Sequence, residues 1–230
     1  MLPPTASAQV GATCLRPLSG SNLVRAPTRQ RDRVFGADWR RLRQLYPGKG
    51  DRAFIVVDIA TQRLDLFLNG RFRCSWPVST SRFGVGELRG SLRTPTGVFR
   101  VTGVVGKGAK PDAVLDSSGA TGRFAVPTAA ADDVAASNLI LGRILKLEGL
   151  QPGWNEGGDV DTARRGIYIH GTANLGMLGE PASEGCVQMA PRAVIRLARL
   201  VPKGALVLIT RGQGSLRKIS GGPLDGRRSA

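Results

Sequence analysis

A stretch of two apolar runs that ends in an Asn-Gly dipeptide constrains the fold of this 230-residue chain more than its other features do. The run at 53–59, AFIVVDI, is rich in β-branched residues, and in the run at 62–68 leucines alternate with other side chains. Side chains two positions apart share one face of a strand, so these leucines form one apolar face. Asn-Gly at 69–70 tolerates the positive φ angles of a tight turn. The sequence therefore predicts an antiparallel hairpin that returns through RFRCSWPVS at 71–79.

Further strand patterns follow the hairpin and predict a mainly β fold with a few short helices. These strands are expected at 98–105, 139–150, 166–170 and 205–209, the third of them ending at His170. The segment 191–201 has an early proline and apolar residues at helical spacing, which predicts a helix. Residues 106–137 are small and polar, and they predict a long loop.

Charge and composition divide the chain into three segments. The net charge is +16, of which the first 50 residues contribute +7 and the last 20 contribute +4. We expect residues 1–51 to form a basic N-terminal tail with a short helix around Trp39 and Leu42. Residues 52–210 are expected to form the folded domain, and residues 211–230 a basic C-terminal tail.

The basic ends suit a polyanionic partner such as nucleic acid, anionic lipid or an anionic wall polymer. Base composition is the alternative explanation, because the chain has 27 Arg and 6 Lys, as a GC-rich genome would encode. A fragment of about 50–212 is expected to stay folded and to lose salt-sensitive polymer binding, unless the Trp39 helix packs on the core.

No apolar run reaches the roughly 20 residues of a membrane-spanning helix, and no signal peptide is recognisable.

The cysteines and the histidine limit the kinds of reactive site that this chain can form. Cys14, Cys74 and Cys186 lie far apart without a Cys-x-x-Cys pair, so a disulfide scaffold is not expected, and Cys74 is predicted to be a small core residue. His170 is the one histidine, whereas a zinc site needs about four ligands with paired spacing. We therefore predict no metal site. An odd cysteine and a sole histidine suggest a nucleophile and its base.

The motifs His170-Gly-Thr and Ser183-Glu-Gly-Cys-Val-Gln-Met carry this chemistry. Cys186 follows Gly185 in a turn before the predicted helix, where amide groups lower the pKa of a thiol and bind an oxyanion. Gly185 lets a carbonyl substrate approach closely. A neutral imidazole can take the proton of the thiol. On chemistry alone, a structural cysteine and an unrelated histidine remain the alternative.

These motifs resemble the signature of the L,D-transpeptidase catalytic domain (YkuD type). Its usual form is His-Gly, a spacer, then Ser/Thr-His-Gly-Cys, an aliphatic residue and Arg or Asn. The segments IVVDIATQRLDLFLNGR, PVSTSRFGVGE, TPTGVFRV, VDTARRGIYIHGT and GALVLI are similar to successive strands of that family. The resemblance covers residues 52–210 and implies a β-rich sandwich or barrel.

The resemblance also implies a role for each matching residue. Cys186 corresponds to the acyl-accepting nucleophile and His170 to the general base. The backbone carbonyl of Gly171 would orient the imidazole, and Ser183 would support the ring. The amides of Gly185 and Cys186 would form the oxyanion hole. No metal or organic cofactor is implied.

Two positions depart from the family pattern. Glu184 replaces a common histidine, and Gln188 replaces the usual Arg or Asn, which removes a cation that could bind a substrate carboxylate. Arg192 lies four residues after Gln188 on the predicted helix, so it would share a face with Gln188 and could supply that cation. The alternative for Ser183 and Glu184 is that they only form the turn. The alternative for Gln188 is that it is only a polar residue at the start of the helix.

The activity implied by the resemblance is that of a cysteine acyltransferase acting on peptidoglycan stem peptides. The thiol would attack the carbonyl of the third stem residue and expel the terminal D-Ala, and the thioester would pass to an amine of a neighbouring stem. The alternatives are an L,D-carboxypeptidase, with water as acceptor, and a non-catalytic basic wall-binding module. A thiol redox protein is disfavoured because no second cysteine is adjacent. The substrate class implies the bacterial periplasm or cell wall.

Overall fold

The structure is a computed structural model that describes residues 13–14, 39–48, 50, 52–129 and 139–212. Its strands are β1 (Thr13–Cys14), β2 (Ala53–Asp58), β3 (Arg63–Leu68), β4 (Arg71–Pro77), β5 (Gly97–Val105), β6 (Ala113–Leu115), β7 (Ala120–Phe124), β8 (Ile140–Gly149), β9 (Tyr168–Thr172), β10 (Val187–Met189) and β11 (Leu206–Thr210). The helices are α1, whose described residues are 39–45, and α2 (Pro191–Leu200). The predicted mainly β fold with short helices is confirmed. None of the described helices is long and apolar enough to cross a membrane.

The strands form a sheet that has the parallel pair β2 and β11 near its centre. Along the sheet the order is β1-β4-β3-β2-β11-β5-β8-β6-β7, and β9 pairs with both β8 and β10. The sequences AFIVVD and LVLIT of β2 and β11 are apolar almost throughout, and nearly all of their residues are buried. Such continuous apolar runs are typical of central strands that are covered on both faces.

The predicted hairpin forms between β3 and β4. Asn69 and Gly70 have φ angles of 51° and 75°, as a two-residue hairpin turn requires. Leu64 and Leu66 face one apolar cluster, whereas Phe67 faces another. The alternation in the sequence therefore assigns these side chains to the correct faces of the strand.

Two apolar layers cover the sheet, one on each face. Ile55 of β2 belongs to a cluster that contains Val194 and Leu197 of α2. Phe54, the preceding residue, belongs to a second cluster that contains Leu42 of α1. Because neighbouring strand residues point in opposite directions, α2 and α1 lie on opposite faces.

Helix α1 is packed on the core. Leu42 is fully buried, and Trp39 and Tyr46 are partly buried against the same cluster. An added Cβ at Gly70 would lie 3.0 Å from the Trp39 ring, so the helix also covers the hairpin turn. A 50–212 fragment lacks α1, so we expect this fragment to lose stability rather than to stay folded.

We expect Leu42→Ala to lower the free energy of unfolding by about 2–5 kcal/mol, because it deletes a fully buried side chain. Leu45→Ala is the matched control on the same helix, since Leu45 is 40% exposed. That substitution should change stability by less than about 0.5 kcal/mol. Urea denaturation followed by circular dichroism measures both variants, and equal effects would contradict the packing of α1 on the sheet.

The segment predicted to be a long loop, 106–137, contains a hairpin instead. Strands β6 and β7 pair with each other, and β6 also pairs with β8, where Val114 lies opposite Leu141. All five residues of β7 are exposed, so backbone pairing rather than apolar alternation builds this strand. Residues 130–137 of the segment lie outside the described residues.

Two boundaries near the predicted site differ from the sequence-based expectation. β9 does not end at His170, because Gly171 and Thr172 continue to pair with β8. Cys186 is followed by strand β10 rather than by a helix, and α2 begins only at Pro191. His170 therefore lies inside a strand, and Cys186 lies directly before one.

One disulfide is present, although the cysteine spacing predicts no disulfide scaffold. Cys74 is buried, as expected of a core residue, but it is disulfide-bonded. Cys14 of β1 lies opposite Cys74 in the backbone register of β1 and β4. Cys186 is a free thiol.

Candidate active site

The parallel pairing of β9 with β10 brings the predicted nucleophile and base into neighbouring segments. In the register of the two strands, Gln188 lies opposite His170. Cys186 comes two residues before Gln188, and its side chain lies beside Tyr168, two residues before His170. Cys186 therefore stands in the segment next to β9, two positions before the residue that lies opposite His170.

Main-chain groups hold the thiol of Cys186. The amide N–H of Tyr168 donates to Sγ over 3.4 Å, and Sγ donates to the carbonyl oxygen of Gly166 over 3.4 Å. Burial raises the pKa of the Cys186 thiol to about 11, although the Tyr168 amide and the charge of Arg165 oppose this rise. The thiol is therefore protonated near neutral pH in the resting site.

The imidazole of His170 is oriented by the carbonyl of the next residue. His170 is 4% exposed, and its Nδ1 lies 2.9 Å from the carbonyl oxygen of Gly171. A carbonyl oxygen can only accept, so Nδ1 carries the proton and Nε2 of the neutral ring is the acceptor. Burial lowers the pKa of His170, and the hydrogen bond to Gly171 opposes that shift only in part. The ring is thus neutral and able to act as a base.

The thiol and the imidazole form a neutral pair without a direct hydrogen bond in the described structure. Sγ donates to the carbonyl of Gly166 instead of Nε2 of His170. Hydrogen bonds between catalytic groups often tighten only when substrate binds. Transfer of the thiol proton to His170 would therefore need a change in this arrangement.

We expect alkylation of Cys186 by iodoacetamide to rise about tenfold per pH unit between about pH 7 and pH 10, because the thiolate is the reactive form. The raised pKa of about 11 keeps the thiolate fraction increasing over this whole range. Mass spectrometry of the Cys186 peptide gives the rate, with the disulfide-bonded Cys74 as the unreactive reference. A rate that is already level at about pH 7 would mean that imidazolium holds the thiolate as an ion pair.

Close backbone packing fixes the carbonyl that orients His170. An added Cβ at Gly171 would lie 2.2 Å from the carbonyl oxygen of Leu141 on β8, a separation that no side chain can adopt. Gly171 also pairs with Met189 of β10 on the other side. A glycine is therefore required directly after His170.

Ser183 ties the turn that leads into Cys186. Its Oγ donates to the carbonyl oxygen of Cys186 over 2.6 Å and accepts the amide N–H of Gly185 over 3.3 Å. These contacts of Ser183 are with the turn rather than with the imidazole ring. The amide of Gly185 would have to leave Ser183 before it could serve an oxyanion, so the oxyanion hole stays a prediction.

Gly185 adopts a backbone conformation that favours glycine. Its φ angle is 120°, and an added Cβ would lie 3.0 Å from Cδ1 of Ile167 and 3.3 Å from the carbonyl oxygen of Arg93. The hydroxyl of Thr94 donates to the carbonyl of Gly185 over 2.9 Å. Glycine thus lets the chain before Cys186 run close to residues 92–94.

The predicted pairing of Gln188 with Arg192 on one helix face is wrong. Gln188 lies in β10, is 5% exposed and exchanges both backbone hydrogen bonds with Ser79. A strand repeats every two residues, so the four-residue spacing of a helix does not apply to Gln188. Arg192 is exposed on α2, where it lines a cavity of about 610 Å³ together with Lys110 and Arg196.

A comparison with protein families matches residues 52–209 to the L,D-transpeptidase catalytic domain, YkuD. The chain belongs to this family. The resemblance predicted from the motifs is therefore confirmed over nearly the same residues.

Curated relatives share a short stretch with this L,D-transpeptidase-family chain. It is 46% identical to YkuD of Bacillus subtilis (strain 168) over 43 residues, which are 19% of this chain and 26% of that protein. It is 48% identical to YkuD of Bacillus licheniformis over 42 residues, which are 18% of this chain and 26% of that protein. The matched stretch thus spans about a quarter of the length of these curated relatives.

Solved L,D-transpeptidases are distant structural relatives. The enzyme from Mycobacterium smegmatis is 16% identical, with a TM-score of 0.41 over 69% of this chain and 58% of that chain. The catalytic domain of the Enterococcus faecium L,D-transpeptidase, solved by NMR, is 19% identical, with a TM-score of 0.38 over 71% of this chain and 100% of that chain. The family assignment rests on the family match rather than on these values.

Glu184, which stands at the position of the common family histidine, forms an ion pair on the surface. Glu184 accepts a hydrogen bond from the guanidinium of Arg82, and both side chains are exposed. Exposed ion pairs contribute little to stability, about 0–1 kcal/mol.

Within the described ranges, no three His, Cys, Asp or Glu side chains are grouped so that they could hold a metal ion.

Two residues of this site were not predicted from the sequence. Thr94 is fully buried and fixes the peptide before Cys186, but nothing in the segment TPTGVFRV indicates this contact. The guanidinium of Arg165 is half-buried and acts electrostatically on Cys186. Only its position shortly before the strand of His170 could have drawn attention to Arg165.

Proposed function

We propose that this chain is a cysteine acyltransferase that acts on peptidoglycan stem peptides by L,D-transpeptidation. The observation that carries the proposal is the arrangement of two neighbouring segments around one free thiol. Cys186 precedes β10, and His170 lies in β9 with Nδ1 bound to the Gly171 carbonyl. The acceptor nitrogen Nε2 is thereby kept for the proton of the nucleophile.

The proposed reaction has an acylation half and a deacylation half. His170 Nε2 takes the thiol proton, and Sγ of Cys186 bonds to the carbonyl carbon of the third stem residue. The bond from that carbon to the nitrogen of the terminal D-residue then breaks, and the imidazolium returns the proton to the leaving amine. An amine of a second stem attacks the thioester, forms the new amide and restores the thiol.

The Gly185 turn supports this proposal through its shape. Ser183 accepts the amide of Gly185 and Thr94 donates to its carbonyl, so the nucleophile is carried on a backbone held on both sides of Gly185. A rigid nucleophile needs little reorganisation when a tetrahedral intermediate forms, which is a large part of enzymatic rate enhancement.

The test is incubation of the purified protein with tetrapeptide muropeptides, followed by mass spectrometry. Cross-linked dimers are expected, together with a transient acyl-enzyme on Cys186. Tripeptides alone would assign the protein as an L,D-carboxypeptidase. Unchanged muropeptides with retained binding would favour a non-catalytic wall-binding module.

We also propose that an anionic polymer binds this protein, as the net charge of +16 favours. The basic tails lie mostly outside the described residues. On the described surface, Arg192, Arg196 and Arg199 are exposed along one face of α2. Retention on a polyanion column should fall steeply with salt, and retention that is independent of salt would contradict the proposal.

The periplasm or cell wall is the compartment that we propose for this activity, because the stem peptides are there. The disulfide at Cys74 supports this proposal, since disulfides persist in oxidising compartments and are rare in the cytosol. A carboxy-terminal alkaline phosphatase fusion, which is active only after export, should be active in cells. An inactive fusion made at normal levels would place the protein in the cytoplasm.

A further inference from the structure

Arg165 lies in the turn before β9 with its guanidinium only partly bonded. Nη2 donates to the carbonyl oxygen of Arg93 over 2.6 Å, which fixes the direction of the side chain. Nη1 is buried and has no hydrogen-bond partner among the described residues. A buried donor that lacks an acceptor costs free energy, so this nitrogen is suited to a ligand that brings an acceptor.

This guanidinium lies in the same part of the molecule as Cys186, on whose thiol it acts electrostatically. The residue after Arg165, Gly166, accepts the hydrogen bond from Sγ of Cys186 over 3.4 Å. The carbonyl of Arg93 that holds Arg165 would lie 3.3 Å from a Cβ added at Gly185, the residue before the nucleophile. Arg165 therefore belongs to the wall of the site that faces the thiol.

The charge of Arg165 is not neutralised by an ion pair in the described part of the chain. Glu87 acts on it electrostatically, but Oε1 of Glu87 accepts the hydroxyl of Thr96 over 2.9 Å. Burial lowers the pKa of Arg165, yet a guanidinium stays charged at all physiological pH values. The positive charge is thus available to an anionic group of a substrate.

We propose that Arg165 binds the carboxylate of the terminal D-residue that leaves when Cys186 attacks. This inference rests on the proposed function, because it names how that site selects its donor stem. The carboxyl carbon is two covalent bonds from the scissile nitrogen, so the cation that binds it must lie beside the nucleophile, as Arg165 does. Gln188 carries no charge, and Arg192 lines a separate cavity on α2. The site therefore prefers donor stems with a free carboxyl terminus.

The experiment compares two tetrapeptide stems, one ending in a free carboxylate and one ending in a carboxamide. The wild-type protein should have a kcat/KM that is roughly 10–100-fold higher for the free acid, the usual range for a hydrogen bond to a charged group. Arg165→Gln should lose this factor, so that its kcat/KM becomes nearly equal for the two stems, on top of whatever loss both stems share through the thiol. The neighbouring Arg164→Gln is the matched control, because Arg164 is exposed, and it should behave as the wild type.

The outcomes separate this inference from the proposed function. Equal kcat/KM of the wild type for both stems would overturn the inference while leaving the activity in place, even if the variant did not fold. Equal losses on both stems in Arg165→Gln would also overturn it, and would assign Arg165 to the thiol or to the fold. No turnover of either stem by the folded wild type would contradict the proposed function and the inference with it.

Discussion

Cys186→Ala is expected to abolish turnover of muropeptides and covalent trapping by carbapenems, which the family resemblance implies as acylating agents. The substitution removes the free thiol but keeps the main-chain contacts of the turn, because Ser183 bonds to the carbonyl of Cys186 rather than to its side chain. Loss of activity should therefore come with at most a small loss of stability, from the two 3.4 Å contacts that Sγ makes with the Tyr168 amide and the Gly166 carbonyl. Intact-mass spectrometry measures the adduct, and thermal unfolding measures the stability.

The other cysteines provide the control for this experiment. Cys74 is disulfide-bonded, so the wild-type adduct should map to the Cys186 peptide alone. An adduct that persists in Cys186→Ala, or that maps to Cys14 or Cys74, would show that the nucleophile is misassigned.

His170→Ala should slow acylation by roughly 10²–10⁴-fold, the usual contribution of a general base. The remaining acylation should rise steeply with pH, because only thiolate formed by the solvent then reacts and burial raises the pKa of Cys186 to about 11. Stopped-flow acylation at several pH values gives both results. His170 is the one histidine of the chain, so a partial rescue by added imidazole would be specific.

A variant within a few-fold of the wild-type rate would show that another group activates the thiol. Tyr168 is a titratable residue to compare, because its backbone amide contacts Sγ, and burial and the charge of Cys186 raise the pKa of its phenol. Tyr168→Phe keeps that amide and removes only the hydroxyl, so it should retain most of the activity.

The sequence predicts those parts of the fold in which side-chain alternation and turn chemistry act locally. The Asn69-Gly70 turn, the faces of the leucines in β3 and the apolar face of α2 all follow from spacing. The hairpin of β6 and β7 does not, because exposed strand residues leave no apolar pattern. The packing of Leu42 joins segments far apart in the chain, and spacing alone cannot establish such a contact.

The same distinction applies to the candidate site. The motifs mark Cys186 and His170 because a free thiol and a lone histidine are chemically distinctive. The role of Arg165 depends on a bond to the distant Arg93 carbonyl, which the local sequence does not encode. The pairing of Gln188 with Arg192 failed because a three-residue strand separates the nucleophile from the helix.

Most groups that hold the reactive pair are main-chain atoms. The carbonyl of Gly171 binds the imidazole, and the amide of Tyr168 and the carbonyl of Gly166 bind the thiol. Amide and carbonyl groups are the same whichever side chain a residue carries, apart from the missing N–H of proline. Neighbouring positions can therefore exchange side chains during evolution while these contacts persist, as long as the strand register is kept. Mutational scanning of such a site should find tolerance at Tyr168 and intolerance at Gly171.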